Sequence, residues 1–225
     1  MKYMQRIFFF AILCALCTVS LAFAVASSTV TKVYDGDTVL LQDGRVVRIA
    51  FIDTPEMNYK QKSPQYYAEQ AKKILSEMVL GKEIVLMQHI TTDRYGRHVA
   101  IITTLDGKDI GAILLQRGAA YVYPIGKSHR SYIAKLVTIQ QNAIAQKQGA
   151  WNAMVPYFTE QGAVVGNKRS KRFFSANYSE LHTISKNNRI HFDSAVNAFI
   201  GGYSPARNCS IWPKNGRMPS SARTQ

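Results

Sequence analysis

The chain has 225 residues, of which 47% are hydrophobic and 19% are charged. This apolar content is enough for a packed core, so the composition excludes a chain that is disordered throughout. Lys and Arg outnumber Asp and Glu by 28 to 14, and the resulting net charge of +14 favours a polyanionic partner such as nucleic acid or an anionic surface. The excess is concentrated in residues 152–225, which hold 10 basic and 3 acidic residues, against 16 and 11 in residues 27–151.

Residues 1–26 have the pattern of a secretory signal peptide. A basic start precedes an apolar run from Ile7 to Leu21, and small residues form candidate cleavage sites near Ala24 and Ala26. The pattern predicts export, so that the mature protein is periplasmic or secreted. An uncleaved membrane anchor is the alternative, because residues 7–26 are about long enough to span a bilayer.

The first predicted element of the mature chain is a β-hairpin. Two runs rich in Val, Leu and Ile flank Asp43-Gly44, a two-residue turn signal. The register of such a turn pairs Val39 with Arg48 and places Asp37 diagonally from Arg48 on the same face. Asp53 lies five residues beyond Arg48, so strict alternation would turn it to the opposite face. We therefore expect a bulge or a sharp twist before Asp53.

Five strands and three helices are predicted between the signal peptide and Trp151. Strands are expected at 38–42, 45–52, 83–90, 97–104 and 119–123, and helices at 64–80, 109–118 and 128–148. Short strands in this number suit a small closed barrel of the OB type, which gives an α+β fold. The domain is predicted to occupy residues 27–151.

Residues 152–225 are predicted to be a basic, weakly structured extension of unknown role. Apolar residues recur at even spacing between positions 190 and 200, which indicates at most a marginal strand, and the basic run at 168–172 has no recognisable structural pattern. We expect a chain that ends near Ala153 still to fold.

Three short segments carry the candidate chemistry. They are Asp35-Gly36-Asp37-Thr38, Arg48 followed by Asp53-Thr54-Pro55-Glu56, and Asp93-Arg94-Tyr95-Gly96-Arg97. Together they supply hard oxygen ligands for a divalent cation, a further carboxylate that can take a proton from water, and guanidinium groups that match phosphate oxygens. The combination favours metal-dependent cleavage of a phosphodiester bond.

In this order the three segments resemble the motifs of the staphylococcal nuclease family, which read D-G-D-T, R-x4-D-T-P-E and D-x-Y-G-R. The resemblance runs from about Ser27 to Trp151 and implies an OB-type barrel. It also implies the roles of nine site residues. The Asp37 and Asp53 carboxylates and the Thr54 carbonyl would bind Ca²⁺, Glu56 would be the general base, and Arg48 and Arg97 would bind the phosphate in the transition state. Arg94, Tyr95 and Tyr121 would contact the substrate, and Tyr121 is favoured over Tyr123 for stacking on a base.

The resemblance implies an exported, Ca²⁺-dependent, sugar-nonspecific nuclease that acts on DNA and RNA and leaves 3′-phosphate ends. The main alternative is an OB-fold module that binds nucleic acid without cutting it, but that hypothesis predicts missing site residues, and here they are all present. A third hypothesis, an envelope-anchored adhesive protein, depends only on the extension and the apolar start. No stable protein partner is predicted, the chain is expected to be a monomer, and membrane association follows only if the N-terminal segment stays uncleaved.

Overall fold

Five strands in the N-terminal half of the chain close into a barrel. The structure is a computed structural model that describes residues 27–57, 63–126, 128–207 and 211–213, so the predicted signal peptide lies outside the described residues. The barrel strands are β1 (Ser27–Val33), β2 (Thr38–Leu41), β3 (Val46–Ile49), β5 (Glu83–Thr92) and β6 (His98–Thr104). Their order is β1-β2-β3-β6-β5, with β3 and β6 parallel and the other neighbours antiparallel. The α+β fold on a five-stranded OB-type barrel is confirmed.

One strand of the barrel differs from the prediction. The predicted strand at 119–123 is reduced to β7 (Tyr121–Val122), which pairs with β4 (Ile52–Asp53) outside the barrel. The fifth place is taken by β1, which pairs with β2 and β5. Its two buried residues, Val30 and Val33, are three positions apart, because the register with β2 shifts just after Val30. This irregularity removes the period of two by which a strand is recognised in a sequence.

The register of the β2–β3 hairpin differs by one residue from the prediction, since Arg48 pairs with Thr38 and not with Val39. The N–H of Gly44 donates to the carbonyl of Leu41 at 3.0 Å, and Gly44 has a φ of 84°. A left-handed Gly at the end of a three-residue loop adds a bulge, and an Asp-Gly pair alone does not distinguish this loop from a two-residue turn.

Three helices belong to the same part of the chain: α1 (Ala68–Val79), α2 (Ile110–Gln116) and α3 (Arg130–Ala145). The Asp109 side chain caps α2 by accepting the N–H of Ala112 at 3.0 Å. Helix α1 begins four residues later than predicted. Gln65 is hydrogen-bonded to Glu56 twice, through its own N–H and through its side-chain oxygen, both at 2.9 Å, and this holds the segment before α1 in a non-helical path.

The prediction of a weakly structured extension after Trp151 is wrong for the described residues. They form helices α4 (Trp151–Glu160) and α5 (Ala195–Ile200) and strands β8 (Val164–Asn167), β9 (Arg172–Ser175), β10 (Arg189–Phe192) and β11 (Ser204–Pro205), with 3-10 turns at Ser179–Thr183 and Lys186–Asn188. The strands make one sheet in the order β10-β8-β9-β11. The apolar positions from 190 to 200 belong to a strand and then a helix, and the Ser194 side chain caps that helix by accepting the N–H of Asn197 at 3.3 Å. The spacing of the apolar residues changes at Ser194 from that of a strand to that of a helix, so neither element is recognisable from the sequence alone.

Phe199 joins this C-terminal unit to the barrel domain. Its fully buried ring lies 5.1 Å from the ring of Trp151 and 5.4 Å from that of Tyr121, measured between centroids. The buried side chain of Gln140 makes a second link, because it donates to the Phe199 carbonyl at 2.5 Å and accepts the N–H of Val122 at 2.7 Å. The core therefore continues across the predicted domain boundary, and the expectation that a chain ending near Ala153 folds loses its basis.

Among the described residues, no helix is both long enough and apolar enough to cross a membrane.

Substitution of Phe199 tests whether the C-terminal unit and the barrel domain share one core. We expect Phe199→Ala to lower the free energy of unfolding by about 3–5 kcal/mol, because it opens a cavity among aromatic rings from both parts of the chain. Ile200→Ala on the same helix is the control, since Ile200 is 39% exposed and should cost about 1 kcal/mol or less. Urea unfolding of both variants measures the difference, and equal losses would contradict the shared core.

Candidate active site

Gly36 allows the first two motifs to pack together. A Cβ built at Gly36 would lie 2.8 Å from the Thr54 hydroxyl oxygen and 2.9 Å from the Ala71 side chain, so any larger residue would push the loop away. The loop is held internally by the Asp35 carboxylate, which accepts the N–H of Asp37 at 3.0 Å. Asp37 is thereby fixed beside the segment that follows β4.

A sharp twist between β3 and β4 brings Asp53 to the side of Arg48. Phe51 has a φ of 62°, a left-handed conformation that is rare for a bulky residue. Its ring is fully buried and lies 5.7 Å from the ring of Tyr132, so packing holds the residue in this conformation. The irregularity that the sequence required before Asp53 is therefore present.

Arg48 lies between the two carboxylates that the sequence predicts as metal ligands. Its Nη2 is 3.1 Å from Asp37 Oδ2 and 2.5 Å from Asp53 Oδ1, and its Nη1 donates to the Ile52 carbonyl at 3.1 Å. The side chains of Arg48 and Asp37 are 6% exposed and that of Asp53 is 14% exposed. Burial acts against the charge of Arg48, but Asp37 and Asp53 more than offset it and hold the pKa of Arg48 above its ordinary value. Two carboxylate oxygens thus converge on one cationic nitrogen atom.

Tyr121 supports Asp53 and does not offer a face to a substrate base. It is 5% exposed, its ring packs against Phe199, and its hydroxyl donates to Asp53 Oδ2 at 3.1 Å. Burial raises the pKa of Tyr121, and so does the negative charge of Asp53. The predicted stacking role of Tyr121 is therefore corrected, and the open cleft is lined instead by Tyr123.

Asp37 and Asp53 are suited to a hard divalent cation. Their oxygens already surround a positively charged nitrogen, and carboxylate oxygens are ligands that Ca²⁺ prefers. Among the described residues, no group of three or more His, Cys, Asp or Glu side chains has the arrangement of a metal site. The resemblance to the staphylococcal nuclease family implies that the Thr54 carbonyl would join the two carboxylates as a ligand, and such a set would leave positions for water and for a phosphate oxygen.

Glu56 is exposed beside these carboxylates. Its backbone is held by Gln65 through the two hydrogen bonds described above. Partial burial raises the pKa of Glu56, and the negative charges of Asp53 and Asp37 raise it further. A carboxylate with a raised pKa is a stronger base, which suits the proton-accepting role that the resemblance implies for Glu56.

Arg97 is oriented by the turn that carries the third motif. Asp93 Oδ1 accepts the N–H groups of Tyr95 and Arg97 at 2.9 and 3.0 Å, and Asp93 Oδ2 accepts Nε of Arg97 at 2.8 Å. Arg97 Nη1 then donates to the Thr38 hydroxyl at 3.3 Å, and that hydroxyl donates to Asp37 Oδ1 at 2.8 Å. Thr38 therefore links Arg97 to Asp37 by a chain of two hydrogen bonds.

Arg48 and Arg97 both line an open cleft of about 740 Å³. Arg94 and Tyr95 lie at its exposed rim, where Arg94 Nη2 donates to the Tyr95 hydroxyl at 2.6 Å. The cleft is strongly basic, with Asp93 as the one acidic residue of its lining. Its seven basic residues are Arg48, Arg94, Arg97, Arg169, Lys171, Arg172 and Arg207.

The cleft contains residues that the sequence interpretation missed. The sequence favours Tyr121 over Tyr123 as a substrate contact, and it gives the basic residues after Trp151 no defined structural place. The run at 168–172 was visible as a charge cluster, but no local pattern shows that it folds back onto the barrel.

Comparison with known proteins assigns a family to the domain that carries this site. The family profile described as "Staphylococcal nuclease homologue" matches residues 46–153. An "Uncharacterized endonuclease" of Escherichia coli O157:H7 is 29% identical over 130 residues, which cover 56% of this chain and 78% of that protein. "Endonuclease YncB" of Bacillus subtilis is 30% identical over 139 residues, covering 60% and 65%, and the "SPbeta prophage-derived endonuclease YokF" of the same species is 32% identical, covering 60% and 46%. Residues 46–153 therefore belong to the staphylococcal nuclease family, a family of nucleases.

Proposed function

We propose that this protein is a Ca²⁺-dependent, sugar-nonspecific nuclease that hydrolyses phosphodiester bonds of DNA and RNA and leaves 3′-phosphate ends. The observation that carries the proposal is the convergence of Asp37 and Asp53 on Arg48, beside Glu56 and at the edge of a basic cleft. Export is a further part of the proposal and is supported by the sequence of residues 1–26.

Asp37, Asp53 and the carbonyl of Thr54 are the groups that would hold Ca²⁺. When bound, the ion would neutralise charge on a phosphate oxygen and make phosphorus easier to attack. The two carboxylates are held in place without help from the ion, because Arg48, Thr38 and Tyr121 are hydrogen-bonded or ion-paired to their oxygens.

Glu56 is the proposed general base. It accepts a proton from a water molecule whose oxygen forms a bond to phosphorus, while the bond from phosphorus to the 5′ oxygen breaks. The leaving oxygen takes a proton, so the products are a 3′-phosphate and a 5′-hydroxyl group. Arg48 and Arg97 donate to the phosphate oxygens, whose negative charge grows in the transition state.

The lack of sugar and base preference has a physical basis in the same residues. Arg48 and Arg97 bind phosphate oxygens, which are alike in DNA and RNA and carry no information about the base. Arg94 and Tyr95 at the rim, and Tyr123 within the cleft, are placed to contact the chain on either side of the phosphate through charge and stacking, which all nucleotides allow.

The competing hypothesis of a module that binds nucleic acid without cutting it predicts an incomplete site. The nuclease proposal is supported instead by the presence of both carboxylates, both Arg residues and Glu56, whose carboxylate interacts electrostatically with Asp37 and Asp53. The two hypotheses are distinguished by testing whether purified residues 27–225 cut plasmid DNA and RNA and whether EDTA stops the cleavage.

Metal choice is the first test of the site. After chelation, Ca²⁺ should restore cleavage much better than Zn²⁺, because the proposed ligands are all oxygen atoms and leave a flexible coordination sphere. Cleavage rates are measured at equal occupancy of the two metals, with occupancy taken from direct binding titrations. Strong restoration by Zn²⁺ would contradict the proposed ligand set.

The two carboxylate roles are separated by a pair of amide substitutions. Glu56→Gln should retain Ca²⁺ and substrate binding but lose cleavage, because an amide keeps the shape and cannot accept the proton. Asp37→Asn should weaken Ca²⁺ binding itself. Single-turnover cleavage at saturating Ca²⁺ and substrate, together with a calcium titration, measures both effects. A near-normal rate for Glu56→Gln would remove it as the base.

Arg97→Lys tests whether the guanidinium shape matters beyond its charge. Asp93 holds Arg97 through Nε and thereby directs the rest of the fork towards the cleft, and a single ammonium group cannot form both contacts. We expect a loss of roughly a hundredfold or more in the single-turnover rate. Arg117→Lys, on an exposed side chain at the end of α2, is the control. If Arg97→Lys and Arg117→Lys have equally small effects on the rate, Arg97 contributes only its positive charge.

A further inference from the structure

The turn between β8 and β9, residues 168–171, is a defined structure and not a loose basic loop. The Asn167 side chain accepts the N–H groups of Arg169 and Ser170 at 2.9 and 3.2 Å, and the Asn167 carbonyl accepts the N–H of Lys171 at 2.9 Å. Lys171 completes the turn with a φ of 56°. Arg169 and Lys171 are thereby held on the lining of the same cleft as Arg48.

Arg172 fixes this turn against the barrel domain. Its guanidinium carbon lies 3.5 Å from the ring centre of Tyr123, its Nη2 donates to the Pro124 carbonyl at 3.2 Å, and its Nη1 donates to the Ser204 hydroxyl at 2.6 Å. The guanidinium carbon of Arg48 lies 5.5 Å from the ring centre of the same Tyr123. One aromatic ring therefore sets the distance between the candidate active site and the basic turn.

The C-terminal unit also places Arg207 on this lining. Four of the seven basic residues of the cleft thus come from beyond Trp151. Cations gathered at this density repel one another, and a polyanion in the cleft relieves that repulsion.

We propose that Arg169, Lys171 and Arg207 form a second wall of the cleft that binds backbone phosphates flanking the one to be cut. The proposal rests on the proposed nuclease function, and it assigns to the C-terminal unit the binding of a polynucleotide strand. A strand is favoured over a membrane surface because these groups line a concave cleft shared with Arg48 and Arg97, which a strand can enter. Arg172 is a positioning residue that holds the wall against Tyr123.

The test removes charge from the wall and leaves the site residues unchanged. The variant is Arg169→Gln with Lys171→Gln. The control is Lys73→Gln with Lys135→Gln, which changes the net charge equally at exposed positions on α1 and α3 that do not line the cleft. Arg169→Gln alone is a second variant in case the turn does not tolerate both changes, since Lys171 also contacts Tyr203.

Binding is measured first, with a fluorescent 16-nucleotide DNA strand in EDTA between 50 and 200 mM salt. Each phosphate contact to a single strand contributes about 0.7 to the slope of log affinity against log salt, so the double variant should lower the slope by about 1.4 and Arg169→Gln by about 0.7. The affinity of the double variant should fall roughly tenfold at low salt, and the control should bind like the unchanged protein. An unchanged slope, or an equal change in the control, would overturn the proposal.

Cleavage then shows where on the strand the wall acts. For the 16-nucleotide strand we expect KM to rise roughly tenfold in the double variant, while cleavage of a dinucleotide, which has no flanking phosphate, stays unchanged. An equal loss on the dinucleotide would place these residues at the scissile phosphate and overturn the proposal.

Weaker binding of anionic phospholipid vesicles with an unchanged DNA slope would assign the wall to a membrane and would also overturn it. If the unchanged protein binds DNA but cuts neither substrate, the nuclease proposal fails, and the salt slopes still decide the wall.

Discussion

The buried contact of Arg48 with Asp37 and Asp53 is the interaction on which the rest of the site depends. Removing three charges from water is costly, and one cation does not balance two carboxylates, so the cluster keeps an excess of negative charge. The negative charge also acts on Asp35, because burial and the charge of Asp37 raise the pKa of Asp35 to about 7. This buried cluster costs free energy of folding and therefore does not account for stability. A further cation would offset its excess negative charge, so the cluster suits cation binding.

The C-terminal unit contributes to this cluster although it supplies none of its charged residues. Phe199 packs against Tyr121, and Tyr121 donates its hydroxyl to Asp53, so one aromatic contact connects helix α5 to a predicted metal ligand. Gln140 reinforces the same connection by bonding to both Phe199 and Val122. The position of Asp53 therefore depends on packing that lies outside the part of the chain that carries the three motifs.

The sequence predicted the barrel fold and the proximity of the motif residues better than it predicted the strand details and the C-terminal unit. The three motifs named Asp37, Arg48 and Arg97 correctly as neighbours, because each motif contains its own turn geometry and its own hydrogen-bond partners. The hairpin register was wrong by one residue, since Gly44 adds a bulge that an Asp-Gly pair does not reveal. The C-terminal unit was missed because its stability comes from contacts distant in sequence, such as that of Phe199 with Tyr121, and such contacts leave no local period.

The cleft combines two sources of positive charge with different relations to the reaction. Arg48 and Arg97 are fixed by carboxylates, Asp37 and Asp53 in one case and Asp93 in the other, so their geometry is set by the barrel. Arg172 of the C-terminal unit is held by the ring of Tyr123 and by the carbonyl of Pro124, and neither group neutralises its charge. The positions of Arg48 and Arg97 are thus set by ion pairs with acids, whereas the position of Arg172 is set by an aromatic ring and a neutral oxygen atom. Because Tyr123 contacts both Arg48 and Arg172, the basic residues of the barrel and those of the C-terminal unit adjoin within one cleft.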